Sequence, residues 1–508
     1  LAVWLRSARK DEKVLDLSKN IIAADSLDLP STFSRLGQAP GSFDLVVGNP
    51  PWGGELDPSI YQHACAYLGL PADGTWDSWE LFLMLGIRAL REGGRLALVL
   101  PDSFFYPHKA RLRKLLFEHT NVEKVHSLGP DWFGPNVRMG TVVIQARRGQ
   151  TDLNTNILCT LLTGKLRVRA ITGQVPLTQI ESQRSRLIPS ARVVNSSTSE
   201  LEVFRGLEDD RIIHEMASHS TPFSGGGGLC ERARGEEINK AGLLWICPSC
   251  LNPTTPGAKN KGGGYKDKNC ETCGNLLTGA TVDSEILVPA VRPTTDYITF
   301  IDGDDINCRY TKARPKKWLR LGVAGWSYKD AAVYRPPKIL LRQAGVGICA
   351  TLDESRSRCP QSVYIYRLRA EQAAKGYRHE FVLAALLSRT MAYLVFKRFG
   401  EIDPAKAHAK LTHERLADLP IPVANFNRPS EKEAHDRIVE NVRKLLDGAK
   451  LGEEEDREIE QLLRDFWGLS SEDGAYVNGE FFDVPESQAL RDLFPNGPPK
   501  PVTVRVPA

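Results

Sequence analysis

Residues 43–52, FDLVVGNPPW, constrain the fold more than any other stretch of this chain. Residues 44–48 are short and apolar, with the β-branched pair Val46 and Val47, and read as a buried strand that stops at Gly48. Asn49-Pro50-Pro51-Trp52 follows at once. Proline donates no hydrogen bond to a strand ladder, so pairing ends there. An Asn, two prolines and an aromatic at the carboxyl end of a strand sit where an open α/β sheet holds a ligand. Downstream, residues 77–91 have helical periodicity, opened by Asp77 or Ser78 and closed by Gly93-Gly94. Residues 95–100, RLALVL, form the next strand, and Pro101-Asp102-Ser103-Phe104-Phe105 its exit loop.

The loop composition suits one chemical problem. An exocyclic amine on a base is a poor nucleophile because its lone pair is delocalised into the ring. The Asn49 side-chain oxygen and the Pro50 carbonyl can accept its two N–H bonds, which draws the nitrogen toward tetrahedral geometry and frees the lone pair. The prolines fix φ, so the loop is stiff and its carbonyls point outward. Trp52 offers a face on which a base taken out of its helix can stack. A plain Pro-rich turn with a core Trp is the alternative, and the strand before it favours the chemical reading.

FDLVVGNPPW resembles the catalytic motif of amino-group methyltransferases that use S-adenosylmethionine. It is most similar to the DNA adenine-N6 methyltransferases of restriction–modification systems, the TaqI-like and type IIG group. SWELFL at 78–83, GGRLALVLPDSFF at 93–105 and WFGPNVRMGTVVI at 132–144 resemble that group in the same order. The resemblance implies that Asn49, Pro50, Pro51 and Trp52 carry the reaction. It implies that Asp25, with Ser26 beside it in Ala24-Asp25-Ser26-Leu27, binds the cofactor's adenine amino group, and that Phe133 joins Trp52 in holding the flipped base.

The departures matter too. The family's glycine-rich cofactor motif and its ribose-binding acid lie upstream of the Asp25 loop, and neither is present in this chain, which opens on Leu1-Ala2-Val3-Trp4-Leu5. The expectation is a fragment without its front. The two absent strands would lie between a strand near Ile21-Ile22 and the one at Leu45, leaving an apolar edge unpaired. Expected partners are double-stranded DNA and either the missing N-terminal portion or a separate nuclease or cofactor-lobe subunit.

Cys247-Pro-Ser-Cys250 and Cys270-Glu-Thr-Cys273 form two CxxC knuckles. Four thiolates at this spacing can surround one structural Zn²⁺, as in a zinc ribbon. The span between them is rich in Gly, Lys and Asn and offers almost no core, so a metal would supply its folding energy. Four free thiols or two disulfides are the alternatives. Cys65, Cys159, Cys230, Cys308, Cys349 and Cys359 are scattered without pairing spacings. With no secretory signal at the visible start, a reducing, cytoplasmic setting is expected.

Net charge is only +4, so global charge does not announce a nucleic acid. Local charge does more. Arg309, Lys312, Arg314, Lys316, Lys317, Arg320, Lys329, Arg335, Lys338 and Arg342 stand against Asp330 alone, with Trp318, Trp326, Tyr328 and Tyr334 interleaved. Lys312, Arg314, Lys316, Lys317, Trp326, Arg335, Lys338 and Arg342 are the candidate DNA face, which Lys259, Lys261, Lys266 and Lys268 would extend. A solvated basic surface is the alternative. No apolar run is long enough to span a membrane.

The sequence thus predicts an α/β chain. Residues 1–150 are a partial Rossmann-like, S-adenosylmethionine-dependent methyltransferase lobe, and 151–205 its edge and connector. Residues 206–425 are an α+β target-recognition domain with a zinc ribbon at 245–276 inserted, closing on LADLPIP at 416–422. Residues 426–508 are C-terminal helices, at 431–446 and 456–466, and a Pro-rich tail. Residues 381–399 read as helical. Three functions compete: a DNA adenine-N6 methyltransferase of a restriction or phage-defence system, a methyltransferase acting on RNA or a protein glutamine, and a non-catalytic DNA-binding remnant. No acidic-pair-plus-lysine nuclease site is evident, so modification rather than cleavage is expected.

Overall fold

The computed structural model describes residues 21–28, 31–73, 76–134, 139–196, 199, 201–238, 242–260, 263–279, 282–399, 411–481, 491 and 494. It divides into two compact units, Leu1–Leu207 and Glu208–Ala508. The opening residues 1–5, Lys261 and most of the Pro-rich tail lie outside the described residues.

The first unit is built on a six-stranded sheet, with β1 Phe43–Gly48, β2 Leu90–Pro101, β3 Thr120–Gly129, β4 Thr141–Arg148, β5 Asn156–Leu161 and β6 Ser185–Pro189 in the order β1-β2-β4-β3-β5-β6. β1 runs parallel to β2 and β3 parallel to β5, while β4 is antiparallel to both its neighbours. Residues 151–205 therefore supply two strands of the sheet. The expectation of a buried β1 is corrected: among the described residues it is an edge strand, with Leu45 56% and Val47 66% exposed. Val46 alone of that apolar run turns in, toward the helix Ser78–Ala89. Ile21 and Ile22 form no strand.

Trp79, Leu81, Leu83, Met84 and Ile87 of that helix are buried against the sheet. Gly86 makes the close approach possible, since a Cβ there would stand 2.9 Å from Leu96 Cδ1 and 3.3 Å from Val46 Cγ1. The helix ends at Ala89 and β2 begins at once. Gly93 and Gly94, expected to close the helix, instead lie within β2, in a bulge between the pairs Phe43–Leu90 and Leu45–Arg95. Gly93 has φ +74°, and a Cβ on Gly94 would stand 2.9 Å from the Phe43 and Arg91 carbonyl oxygens.

The second unit carries strands β7 Ser220–Pro222, β8 Cys230–Arg234, β9 Leu243–Ile246, β10 Pro253–Thr254, β11 Lys268–Asn269, β12 Leu276–Leu277, β13 Asp283–Ile286, β14 Tyr297–Phe300, β15 Lys317–Arg320, β16 Lys338–Arg342, β17 Ala350–Asp353, β18 Val363–Leu368 and β19 Pro420–Pro422. Its main sheet is antiparallel, in the order β17-β16-β18-β8. β10-β9-β13 and β11-β12 make the cysteine-bearing module, and β14 pairs with β15.

The helical stretch expected over 381–399 is made of two helices, His379–Leu387 and Arg389–Phe399, bent by 57°. Ser388 breaks it: its hydroxyl donates to the Ala385 carbonyl and accepts from the Met391 N–H, capping the second helix. Among the described residues no single helix is long and apolar enough to cross a membrane, and this pair, which together passes that test, is almost wholly buried. The C-terminal helices Pro429–Leu446 and Glu453–Phe466 pack within this unit, as their amphipathic pattern predicts. Buried charges tie down the second of these, where Arg309 and Arg389 meet Asp456; elsewhere in the unit Lys397 meets Asp209 at 3.0 Å and Glu480 at 2.7 Å.

Candidate active site and cysteine cluster

The loop after β1 leaves the sheet edge with Asn49 exposed and Pro50 buried. Among the described residues none hydrogen-bonds the Asn49 side chain, so its amide oxygen is unspent. Trp52 packs partly against the core, and its ring meets Phe133 edge-on at 5.9 Å between centroids. The structure thus brings together two residues 81 positions apart that the sequence assigned to one pocket. Phe133 is 51% exposed, so its ring is not part of the core.

The N-terminus of the helix Ser78–Ala89 grips this loop. Ser78 Oγ lies 2.7 Å from the Pro51 carbonyl oxygen, and Asp77 Oδ1 accepts the Gly53 N–H at 3.1 Å. Glu80 completes a capping box by accepting the Asp77 N–H, and its carboxylate, 2% exposed, also pairs with Lys109 at 2.7 Å. The exit loop of β2 is held in turn by Arg113, fully buried, which donates to the Phe104 and Tyr106 carbonyls at 2.6 and 2.8 Å. Tyr106 is half exposed on that loop, and the Asp102 carboxylate beside it, with burial, raises its phenol. Asp102 also meets the start of β4, where a Cβ on Gly140 would stand 2.3 Å from its Oδ2. Glu80, Lys109 and Arg113 were not singled out from sequence, and Ser78 only as a possible helix start. The Asp77–Glu80 spacing was legible only as a helix start, and nothing marks Arg113.

In the second unit the Sγ atoms of Cys247, Cys250, Cys270 and Cys273 all lie within 4.8 Å of one another. Cys247–Cys273 and Cys250–Cys270 stand at 3.6 Å. Four sulfurs bound to zinc at about 2.3 Å would form a tetrahedron of edge about 3.8 Å, so the cluster fits the ion. The two knuckles repeat one backbone pattern. The Leu251 N–H donates to the Cys247 carbonyl at 2.8 Å, as the Gly274 N–H does to Cys270 at 2.9 Å. Both turn residues are left-handed, at φ +59° and +76°. N–H groups of Cys273 and Thr272 hold the Cys270 thiol down to about 6, whereas Cys273, against the Asn275 N–H, is pushed up to about 12 by burial and its three sulfur neighbours.

Residues 4–133 match the Eco57I restriction-modification methylase family, and residues 298–421 match the TaqI-like C-terminal specificity domain. Over these two stretches the chain is similar to TaqI-like restriction–modification methyltransferases. The methylase subunit of the type I restriction enzyme EcoEI of Escherichia coli is 33% identical over 110 residues, 21% of this chain and 21% of that protein. This chain thus spans about a fifth of that curated relative. Among solved structures, the type IIG endonuclease BpuSI is 16% identical, covering 84% of this chain and 54% of its own, with a TM-score of 0.32. The type IIL enzyme MmeI, solved in complex with DNA, is 11% identical, covering 89% and 56%, with a TM-score of 0.41.

Asp25 lies on an exposed turn, where its Oδ1 accepts the Leu27 N–H at 2.9 Å and Leu27 is buried. Ser26 is half-buried beside it. An exposed carboxylate on an anchored turn fits the adenine amine of S-adenosylmethionine.

The specificity region redistributes the expected basic face. Arg314, Lys316 and Arg335 are exposed. Lys312 is engaged by Asp447 at 2.8 Å and Glu354 at 3.5 Å, and Lys317 by Asp302 at 2.6 Å. Arg342 is half-buried, threaded past Gly303 and Gly345. Trp326 is partly buried against the Leu244–Leu287 cluster, with its indole nitrogen enclosed. Lys338 is corrected outright: it is fully buried in β16 and paired with Asp353 at 2.6 Å, so it reaches no phosphate. Lys338→Ala strands that carboxylate, and chemical denaturation is expected to show a loss of about 3–5 kcal/mol. Cys308 and Cys349, expected to stand apart, are joined as a disulfide.

Proposed function

We propose that this chain serves site-specific adenine-N6 methylation of double-stranded DNA in a restriction–modification or phage-defence system. The unspent Asn49 amide, set at a strand end beside the Trp52–Phe133 ring pair, carries the reading. Asn49 Oδ1 and the Pro50 carbonyl accept the two N–H bonds of an extruded adenine's amine and localise its lone pair. Trp52 and Phe133 hold the ring. S-adenosylmethionine, when bound, supplies an electrophilic methyl group, with Asp25 accepting its adenine amine and Ser26 adjacent. Zinc held by the four cysteines folds the ribbon inserted in the specificity region. Arg314, Lys316 and Arg335 contact phosphates. The type I methylase relative is one subunit of its enzyme, which supports assembly with further subunits.

Labelled S-adenosylmethionine with unmodified mixed-sequence duplex DNA tests this. N6-methyladenine is the expected product, suppressed by competing duplex and not by tRNA. Label entering RNA or a glutamine side chain would replace the DNA reading. Salt-sensitive duplex binding without any transfer would favour a binding remnant.

A further inference from the structure

Trp52 is bracketed on both sides by one helix end. Pro51 has its φ fixed by its ring, so its free torsion is ψ, and the direction of its carbonyl sets where the chain enters Trp52. That carbonyl is taken by Ser78 Oγ at 2.7 Å. On the far side, the Gly53 N–H goes to Asp77 Oδ1 at 3.1 Å and the Gly54 N–H to Ser78 Oγ at 3.4 Å. A hydroxyl can donate one bond and accept others, so Ser78 serves both flanks. Ser78 is 1% exposed, and its helix end is locked by the Glu80–Lys109 pair. β1 is paired only with β2 among the described residues, so the sheet itself holds this loop from one side.

We infer that Ser78, seconded by Asp77, is a positioning residue that aims the Trp52 ring at Phe133. This rests on the methyltransferase reading for its consequence, since a mis-aimed ring holds the target base off line. Its geometry is testable without that reading.

The test uses the full chain labelled with 5-fluorotryptophan, with the Trp52 resonance among the nine tryptophans assigned by Trp52→Phe. Ser78→Ala is expected to shift or broaden the Trp52 fluorine signal, leave the other eight and the melting temperature unmoved, and be reversed in Ser78→Thr, which keeps the hydroxyl. In methyl transfer, Ser78→Ala lowers kcat roughly 10- to 100-fold with KM little changed, and Ser78→Thr restores it. An unmoved Trp52 signal in Ser78→Ala overturns the inference. So does a general loss of folding that threonine does not rescue. If the unaltered chain transfers no methyl group, the methyltransferase reading fails, while the fluorine arm still decides the role of Ser78.

Discussion

Asn49→Ala is expected to lower methyl transfer by about 10²–10³-fold or more, as removal of one preorganised transition-state partner does elsewhere. Duplex binding stays near that of the unaltered chain. The reason lies in where Asn49 sits. Its side chain is exposed and bonded to no described residue, so its loss breaks nothing in the fold. What disappears is one of two acceptors for the amine, and with it the pull that localises the nitrogen lone pair. Alanine cannot replace that acceptor, and the Pro50 carbonyl alone leaves one N–H unmatched. The single-turnover rate and the binding isotherm, measured on one preparation, separate chemistry from folding. Full transfer by the variant would remove Asn49 from the mechanism.

Metal removal is expected to have the second large effect. The purified chain should carry about one zinc ion, and structural zinc contributes about 10–16 kcal/mol of apparent folding energy in small modules at neutral pH. The ribbon has little else: its core is Trp245, Cys247, Cys270 and Leu277. A chelator, or Cys250→Ser with Cys273→Ser, should expose Trp245, which is 2% exposed in the folded chain, and shift its fluorescence to the red. The antiparallel sheet around β16 has a separate core and should keep its order. Because the ligands must be deprotonated, zinc is released as pH falls. A metal-free chain with Trp245 still enclosed would refute the zinc site.

Much of the site could be read from the residues, because its chemistry is local. Asn49 to Trp52 are consecutive, and the two CxxC pairs carry their own geometry. The C-terminal helices begin within a few residues of where their periodicity places them. What failed was partnership at a distance. A Val-Val run by itself reads the same in an interior strand as at the edge; among the described residues the sheet order leaves Leu45 and Val47 exposed, in line with the unpaired apolar edge expected there. Lys338 was counted as a surface cation, yet it pairs across the β16–β17 register with Asp353, a match no spacing announces. The Cys308–Cys349 bridge spans 41 residues for the same reason. Ser388 had a legible cap, but apolar residues on both sides hid it.

The edge-to-face rings of Trp52 and Phe133 have a consequence for how a target arrives. Their centroids are 5.9 Å apart, whereas a flat base gripped between two faces needs about 7–8 Å, two carbon contact distances. On the function proposed above, a base entering between the two rings would have to separate them, giving up about 0.5–1.5 kcal/mol, the worth of such an aromatic pair, so that a base which stacks well would be favoured over one that does not.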